Sequence, residues 1–375
     1  MRNVANPCAL VAVFAIACGA APAVGPVAPA VAPPVPAATT ASVPTVPTAP
    51  TVPTAQAAAK AFALPGARGN AFLDFIAYER GARRVWVPVS STGSVDVLDA
   101  AAGTFTRIDG FQTVQREGDG GRMRAMGPSA VSIGDGVAYV GNRGTSEVCA
   151  IDVKTLKLGK CLKLPSTIDC VVYVASTKEV WVTAPHDGKL YVLDASKPAQ
   201  LVTKTTVAVA GEPEGYAVDE SRGLFFTNLE DKGGTVVIDV KTHQPRATWN
   251  AGCGDDGPRG VAVDEARNFV IVACTDHVQV LDGGHDGAKL GALDTGAGVD
   301  NIDLLAAKKL LFVAAGKAAR LTVARLDDHG HLEVVATAAT APGARNPVAD
   351  EAGNAYVADS QASRILAFDA HALGL

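Results

Sequence analysis

Seven times along the chain, an apolar strand, a short polar turn and a second alternating strand end in aspartate. The units read "VWVPVSSTGSVDVLD", "AYVGNRGTSEVCAID", "VWVTAPHDGKLYVLD", "LFFTNLEDKGGTVVID", "FVIVACTDHVQVLD", "LLFVAAGKAARLTVARLD" and "AYVADSQASRILAFD". Their closing residues are Asp99, Asp152, Asp194, Asp239, Asp282, Asp327 and Asp369, spaced by 53, 42, 45, 43, 45 and 42. Aspartate suits that place because its carboxylate accepts from backbone amides two residues on and opens the next turn. Ahead of each pair runs a further short apolar strand, such as "GYAVD" or "GVAVD", and a fourth usually follows, such as "TVAVA" or "ATWNA". Four short strands per repeat predict an all-β fold, a seven-bladed β-propeller of four-stranded antiparallel blades. The last unit stops short of its fourth strand. "AAKAFALPG" (58–66) resembles one, so an N-terminal strand pairing with the last blade is expected to close the ring.

The segments ahead of the repeats divide the chain. Residues 1–18, "MRNVANPCALVAVFAIAC", have a basic start and an apolar run too short to span a bilayer, as in a secretory signal. The "AIAC" ending resembles a lipobox, which makes Cys18 the expected lipidation site; an ordinary cut further on is the alternative. Residues 19–55 are almost only Ala, Pro, Val and Thr, and predict an extended tether reaching up to about 100 Å. Residues 56–375 form the propeller. The formal charge of −5 and the lack of a basic, aromatic-interleaved patch argue against nucleic acid as a partner. No membrane contact is expected beyond the anchor, and the protein is expected to be monomeric.

In a propeller the innermost strand of each blade leads from one mouth of the central channel. Aligning the units places Asp74, Ser129, Asp169, Glu214, Arg259, Asp300 and Arg345 in one register, with all but Ser129 charged. Such a ring either solvates the pore, pairing Asp169 with Arg345 or Glu214 with Arg259, or it binds a ligand. Arginine forks suit a carboxylate or phosphate, and clustered carboxylates suit a hard cation such as calcium. The turns between second and third strands open on the same face. They add Asn142, Arg143, His186, Asp187, Asn228, Glu230, Asp231, Asp276 and His277, most of them expected to be plain turn residues, and Asn301 follows Asp300. The first spacing is the longest because of "QREGDGGRMRAMGPS", a glycine-rich loop that either folds Arg122 and Arg124 over the mouth as a lid or is a disordered surface insertion.

Of the seven cysteines, Cys149 and Cys161 fall on neighbouring strands, and Cys253, ahead of a first strand, and Cys274, at the end of the next, meet on one face of a blade, which predicts two disulfides in an exported protein. Cys170 is expected to be a buried free thiol. There is no "CxxCH", "HExxH", P-loop or "GxSxG", and "DDHGH" (327–331) reads as a solvated turn.

"AYVGN" (138–142) with its closing "AID", and "AYVAD" (355–359), resemble the repeat of YncE-like, YVTN-type bacterial β-propellers, as do "GPRGVAVD", "GVDNID" and "PGAR". The resemblance spans about residues 58–370, and Gly141 replaces the motif's threonine. It implies the fold and leaves activity open, because the wider group holds both lactonases and binding proteins. The expectation is a lipid-anchored periplasmic or outer-membrane protein binding a small polar ligand or an envelope protein at the axial face. No catalytic residue and no definite cofactor are assigned. The alternative is a lactonase-type hydrolase using a carboxylate-held cation, with Asn228 and Asn301 beside it.

Overall fold

The computed structural model describes residues 57–117, 121 and 123–375. The leader (1–18), Cys18, the 19–55 segment and Arg122 lie outside the described residues.

Seven four-stranded antiparallel sheets make up the propeller. Blade 1 comprises Ala77–Glu79, Arg84–Val89, Ser94–Asp99 and Thr104–Ile108; blade 2 comprises Pro128–Gly134, Val137–Asn142, Glu147–Asp152 and Lys157–Lys163. Blade 3 runs from Val171–Val174 through Glu179–Ala184 and Lys189–Asp194 to Val202–Ala208, and blade 4 from Pro213–Asp219 through Leu224–Leu229 and Gly234–Asp239 to Gln244–Asn250. Blade 5 contains Pro258–Asp264, Phe269–Cys274, His277–Asp282 and Ala288–Asp294; blade 6 contains Ile302–Leu305, Leu310–Ala315, Arg320–Leu326 and Leu332–Ala339. Blade 7 has Arg345–Ala349, Ala355–Asp359 and Arg364–Phe368 from the end of the chain. Its outermost strand is Lys60–Ala63, antiparallel to Arg364–Phe368, with Phe62 opposite Ile365.

The alternation of the second strands divides each blade between two interfaces. In blade 1, Trp86 packs with Val140 and Ile151 of blade 2, while Val85 and Val87 pack with Tyr356 and Ile365 of blade 7. Tyr139 turns the other way and meets Val171 and Val182 of blade 3. Trp181 then meets Phe225, Phe226 meets Val270, Ile271 meets Val313, and Phe312 meets Val357. Seven apolar clusters thus fill seven interfaces, and the ring is continuous from blade 7 back to blade 1. Burying this apolar area is the main favourable term in folding.

All seven closing aspartates behave as turn-openers. Each carboxylate accepts from a backbone amide two or three residues ahead, as Asp99 does from Ala101 N at 2.9 Å and Asp239 from Lys241 N at 2.9 Å. Asp327 does so within the exposed "DDHGH" turn. Both disulfides, Cys149–Cys161 and Cys253–Cys274, are present, and Cys170 is a buried free thiol. Much of the long insertion after blade 1 is a two-stranded hairpin, Val114–Glu117 with Met123–Met126, rather than an irregular loop. Among the described residues no helix is long and apolar enough to cross a membrane.

Phe62 is buried against the blade 7–blade 1 cluster, so the Lys60–Ala63 strand contributes to stability as well as to the edge. Phe62→Ala is expected to cost about 3 kcal/mol, read as a lower urea midpoint with an unchanged slope.

Candidate functional site

Three of the innermost strands begin with proline followed by the axial residue and a small residue: Pro128-Ser129-Ala130, Pro213-Glu214-Gly215 and Pro258-Arg259-Gly260. The pairing with the second strand slips at each of these places, and again after Arg345. A slip of this kind releases a residue from the ladder and re-aims its side chain. The small residue is sterically required. A Cβ on Gly215, whose φ is +66°, would stand 2.4 Å from the Arg259 carbonyl oxygen. On Gly260 it would stand 2.8 Å from the Asn301 Cα. Neighbouring inner strands touch at these glycines, and their axial side chains converge.

They converge on a cavity of about 290 Å³. Asp74, Asp169, Glu214, Arg259, Asp300 and Arg345 all line it, together with Arg143, His186, Glu212 and Glu230. Below it, Phe75 and Tyr216, from opposite sides of the ring, stack with centroids 5.9 Å apart. Tyr216 and Phe75 face a separate cavity of about 350 Å³ toward the other mouth. The axial cavity is therefore a charged cup at one mouth, distinct from the cavity these rings line.

The ion pairs differ from those expected. Arg143, from the second-to-third turn of blade 2, lies between Asp74, at 3.0 Å, and Asp169. Arg345 pairs with Asp300 at 3.1 Å, not with Asp169, and Arg259 pairs with Glu230, not with Glu214. Asp74 also accepts from Asn346 Nδ2 at 3.1 Å. Guanidiniums from turns and neighbouring blades reach these carboxylates first.

Glu214 is left over. Among the described residues it has neither an ion pair nor a side-chain hydrogen bond. The residue is half-buried, and its carboxyl opens onto the cup. Burial pushes that carboxyl from the ordinary 4.5 up to about 8. The Asp300 and Asp74 carboxylates add to the rise, and Arg143 and Arg259 oppose it. Burial also raises Asp300, with Arg345 pulling it back. Near neutral pH the cup therefore holds a protonated carboxyl among ion pairs. Cys170, beside Asp169, has its thiol held well above the usual range by burial and then by the Glu214 carboxylate.

Several expected rim residues lie elsewhere. Asn142 turns inward, donating to Gln112 O at 2.9 Å and accepting from Thr145 N at 3.2 Å. Asn228 is fully buried; its Nδ2 donates to Arg259 O at 2.6 Å and its Oδ1 accepts from Thr235 Oγ1 at 2.7 Å. These two asparagines satisfy backbone and hydroxyl groups across turns and blades, so neither is free for chemistry at the mouth. Asn301 lines the cavity toward the opposite mouth, and its Nδ2 has no partner among the described residues. Arg124 lines a separate cavity beside the cup. Ser129, the uncharged member of the register, is buried with an unpartnered hydroxyl among the described residues. Arg143 was visible only as one turn residue among many, and Glu212 carried no repeat signal at all.

No family model matches the sequence, and no curated protein matches it. Among solved structures, the chain is similar to one in the mitotic checkpoint complex, with a TM-score of 0.65 and 13% identity over 88% of this chain and 95% of that one. It is also similar to one in Kuenenia stuttgartiensis hydrazine synthase, with a TM-score of 0.63 and 13% identity over 82% of this chain and 99% of that one. A third likeness is to U3-55K, with a TM-score of 0.65 and 8% identity over 83% and 98% of the two chains. At such identities the likeness shows the fold alone: this protein is a seven-bladed β-propeller.

Because Arg143 neutralises two buried carboxylates, Arg143→Ala is expected to destabilise the protein by about 3 kcal/mol or more. Equilibrium denaturation measures it, and Arg143→Lys is expected to recover only part, since one ammonium cannot fork to both partners.

Proposed function

We propose that the protein is an exported binding protein whose axial cup takes a cationic or donor-rich group of a small polar ligand. The observation that carries this is Glu214: the three guanidiniums of the cup are already committed to other carboxylates, and this half-buried carboxyl has no partner among the described residues. Six carboxylates against three arginines give the cup an acidic balance that suits such a group. With those arginines paired, the cup does not favour an anion held in an arginine fork. Two disulfides fit an oxidising compartment. The "AIAC" ending supports anchoring through a lipid on Cys18, and the YVTN-type motifs support a place among YncE-like periplasmic or outer-membrane propellers.

Putrescine serves as a simple cationic probe. Glu214 must lose its proton to pair with an ammonium, so affinity is expected to rise between about pH 6 and about pH 8 and then level off. Calorimetry in buffers of different ionisation enthalpy should register proton release, and Glu214→Gln should flatten the profile. A flat profile in the unaltered protein contradicts the reading. Stoichiometric calcium binding, with lactone turnover lost in Glu214→Gln, would replace it with the hydrolase alternative.

A further inference from the structure

A second cavity, of about 430 Å³, opens beside the cup among blades 6 and 7 and the segment leading into blade 1. Arg124, Lys317 and Arg345 line it, and among the described residues no carboxylate does. Lys317 is exposed and has no ion pair or side-chain hydrogen bond among the described residues. Gly298, Gly316 and Gly343 form part of the wall, linked by Gly316 N to Gly298 O at 2.9 Å and Gly343 N to Gly316 O at 2.7 Å. A Cβ on Gly298, whose φ is +91°, would stand 2.3 Å from Lys317 N, so glycine there is what lets the Lys317 turn sit so close.

Phe72 provides an independent sign of a built site. Its φ of +51° is a conformation that non-glycine residues adopt at a cost of about 1–3 kcal/mol. The flanking chain holds it there: Ala71 N donates to Ser360 O at 2.8 Å, Leu73 N to Ser360 Oγ at 2.9 Å, and Phe72 N to Asn70 Oδ1 at 2.9 Å. The half-buried ring lines this cavity and stacks 5.5 Å from the Arg143 guanidinium and 5.7 Å from that of Arg124. Arg345 lines both cavities, with its Nη1 3.1 Å from Asp300 on the cup side. A basic recess thus adjoins an acidic cup across one shared side chain.

We propose that the two cavities take one small zwitterionic ligand, its oxyanion group held by Lys317 and Arg345 and its ammonium group in the cup beside Glu214. The ammonium end rests on the reading of the cup given above; the oxyanion end stands on the second cavity alone. Carboxylates and phosphates share the required chemistry.

Isothermal titration of the full chain at constant ionic strength compares γ-aminobutyrate and phosphoethanolamine with putrescine and succinate. The two zwitterions are expected to bind at least about tenfold more tightly than either single-signed compound, and the tighter of the two identifies carboxylate or phosphate as the preferred oxyanion. Lys317→Glu is expected to weaken the zwitterions and succinate but not putrescine. Glu214→Gln is expected to weaken the zwitterions and putrescine but not succinate. Equal affinity of zwitterions and single-signed compounds, or zwitterion binding indifferent to Lys317→Glu, overturns the proposal. Lys317-dependent succinate binding without putrescine binding overturns it through failure of the cup alone, which is a distinct result.

Discussion

A four-stranded blade has two apolar faces and no means of covering both, so it must be sandwiched between two others. Everything else in this protein follows from that requirement. Alternating residues of the second strand, Trp86 against Val85 and Val87 or Phe225 against Phe226, serve different neighbours, and the sheet stack must bend into a ring to leave no face exposed. Closing the ring carries the start of every innermost strand to one axis. Charged residues that would be spread over a surface in an open sheet are forced together at the centre.

Bringing six carboxylates into one cup is electrostatically costly, and the structure offsets this with three arginines drawn from different places. Arg143 comes from a turn, while Arg259 and Arg345 come from the ring register itself. The compensation is incomplete at Glu214, where burial is met by a raised pKa instead of a partner. Uncompensated groups of this kind concentrate at functional sites, because a ligand supplies what the fold withholds. Phe75 and Tyr216 stack across the axis and line the cavity toward the other mouth, which is distinct from the cup.

The fold was largely legible because its signals are local. A closing aspartate that caps its own turn, a period of two in each strand and cysteines paired within a single blade all act within one repeat. The convergence of Asp74, Asp169, Glu214, Arg259, Asp300 and Arg345 was also legible, since equivalent positions in a ring share an axis. Their pairing was not. Whether Asp169 meets Arg345 or Arg143 depends on side-chain reach across blades, and Arg143 lies outside the aligned register. Asn142 and Asn228 looked like rim residues because turns favour asparagine, but carbonyls of Gln112 and Arg259, invisible from within one repeat, draw them inward. The recess of Phe72 and Lys317 is assembled from segments some 245 positions apart and left no mark in any single unit.

The central claim is that the ring desolvates the Glu214 carboxyl among ion-paired charges without giving it a partner. Side-chain carboxyl carbon chemical shifts of glutamate-labelled protein, followed by NMR through a pH titration and assigned by comparison with Glu214→Gln, test it without any ligand. The account expects one glutamate to titrate at about 8 and its signal to vanish in the variant. A Glu214 that titrates near the ordinary 4.5 would mean that water or an unseen partner stabilises its charge, and the cup would then be a solvated pore mouth.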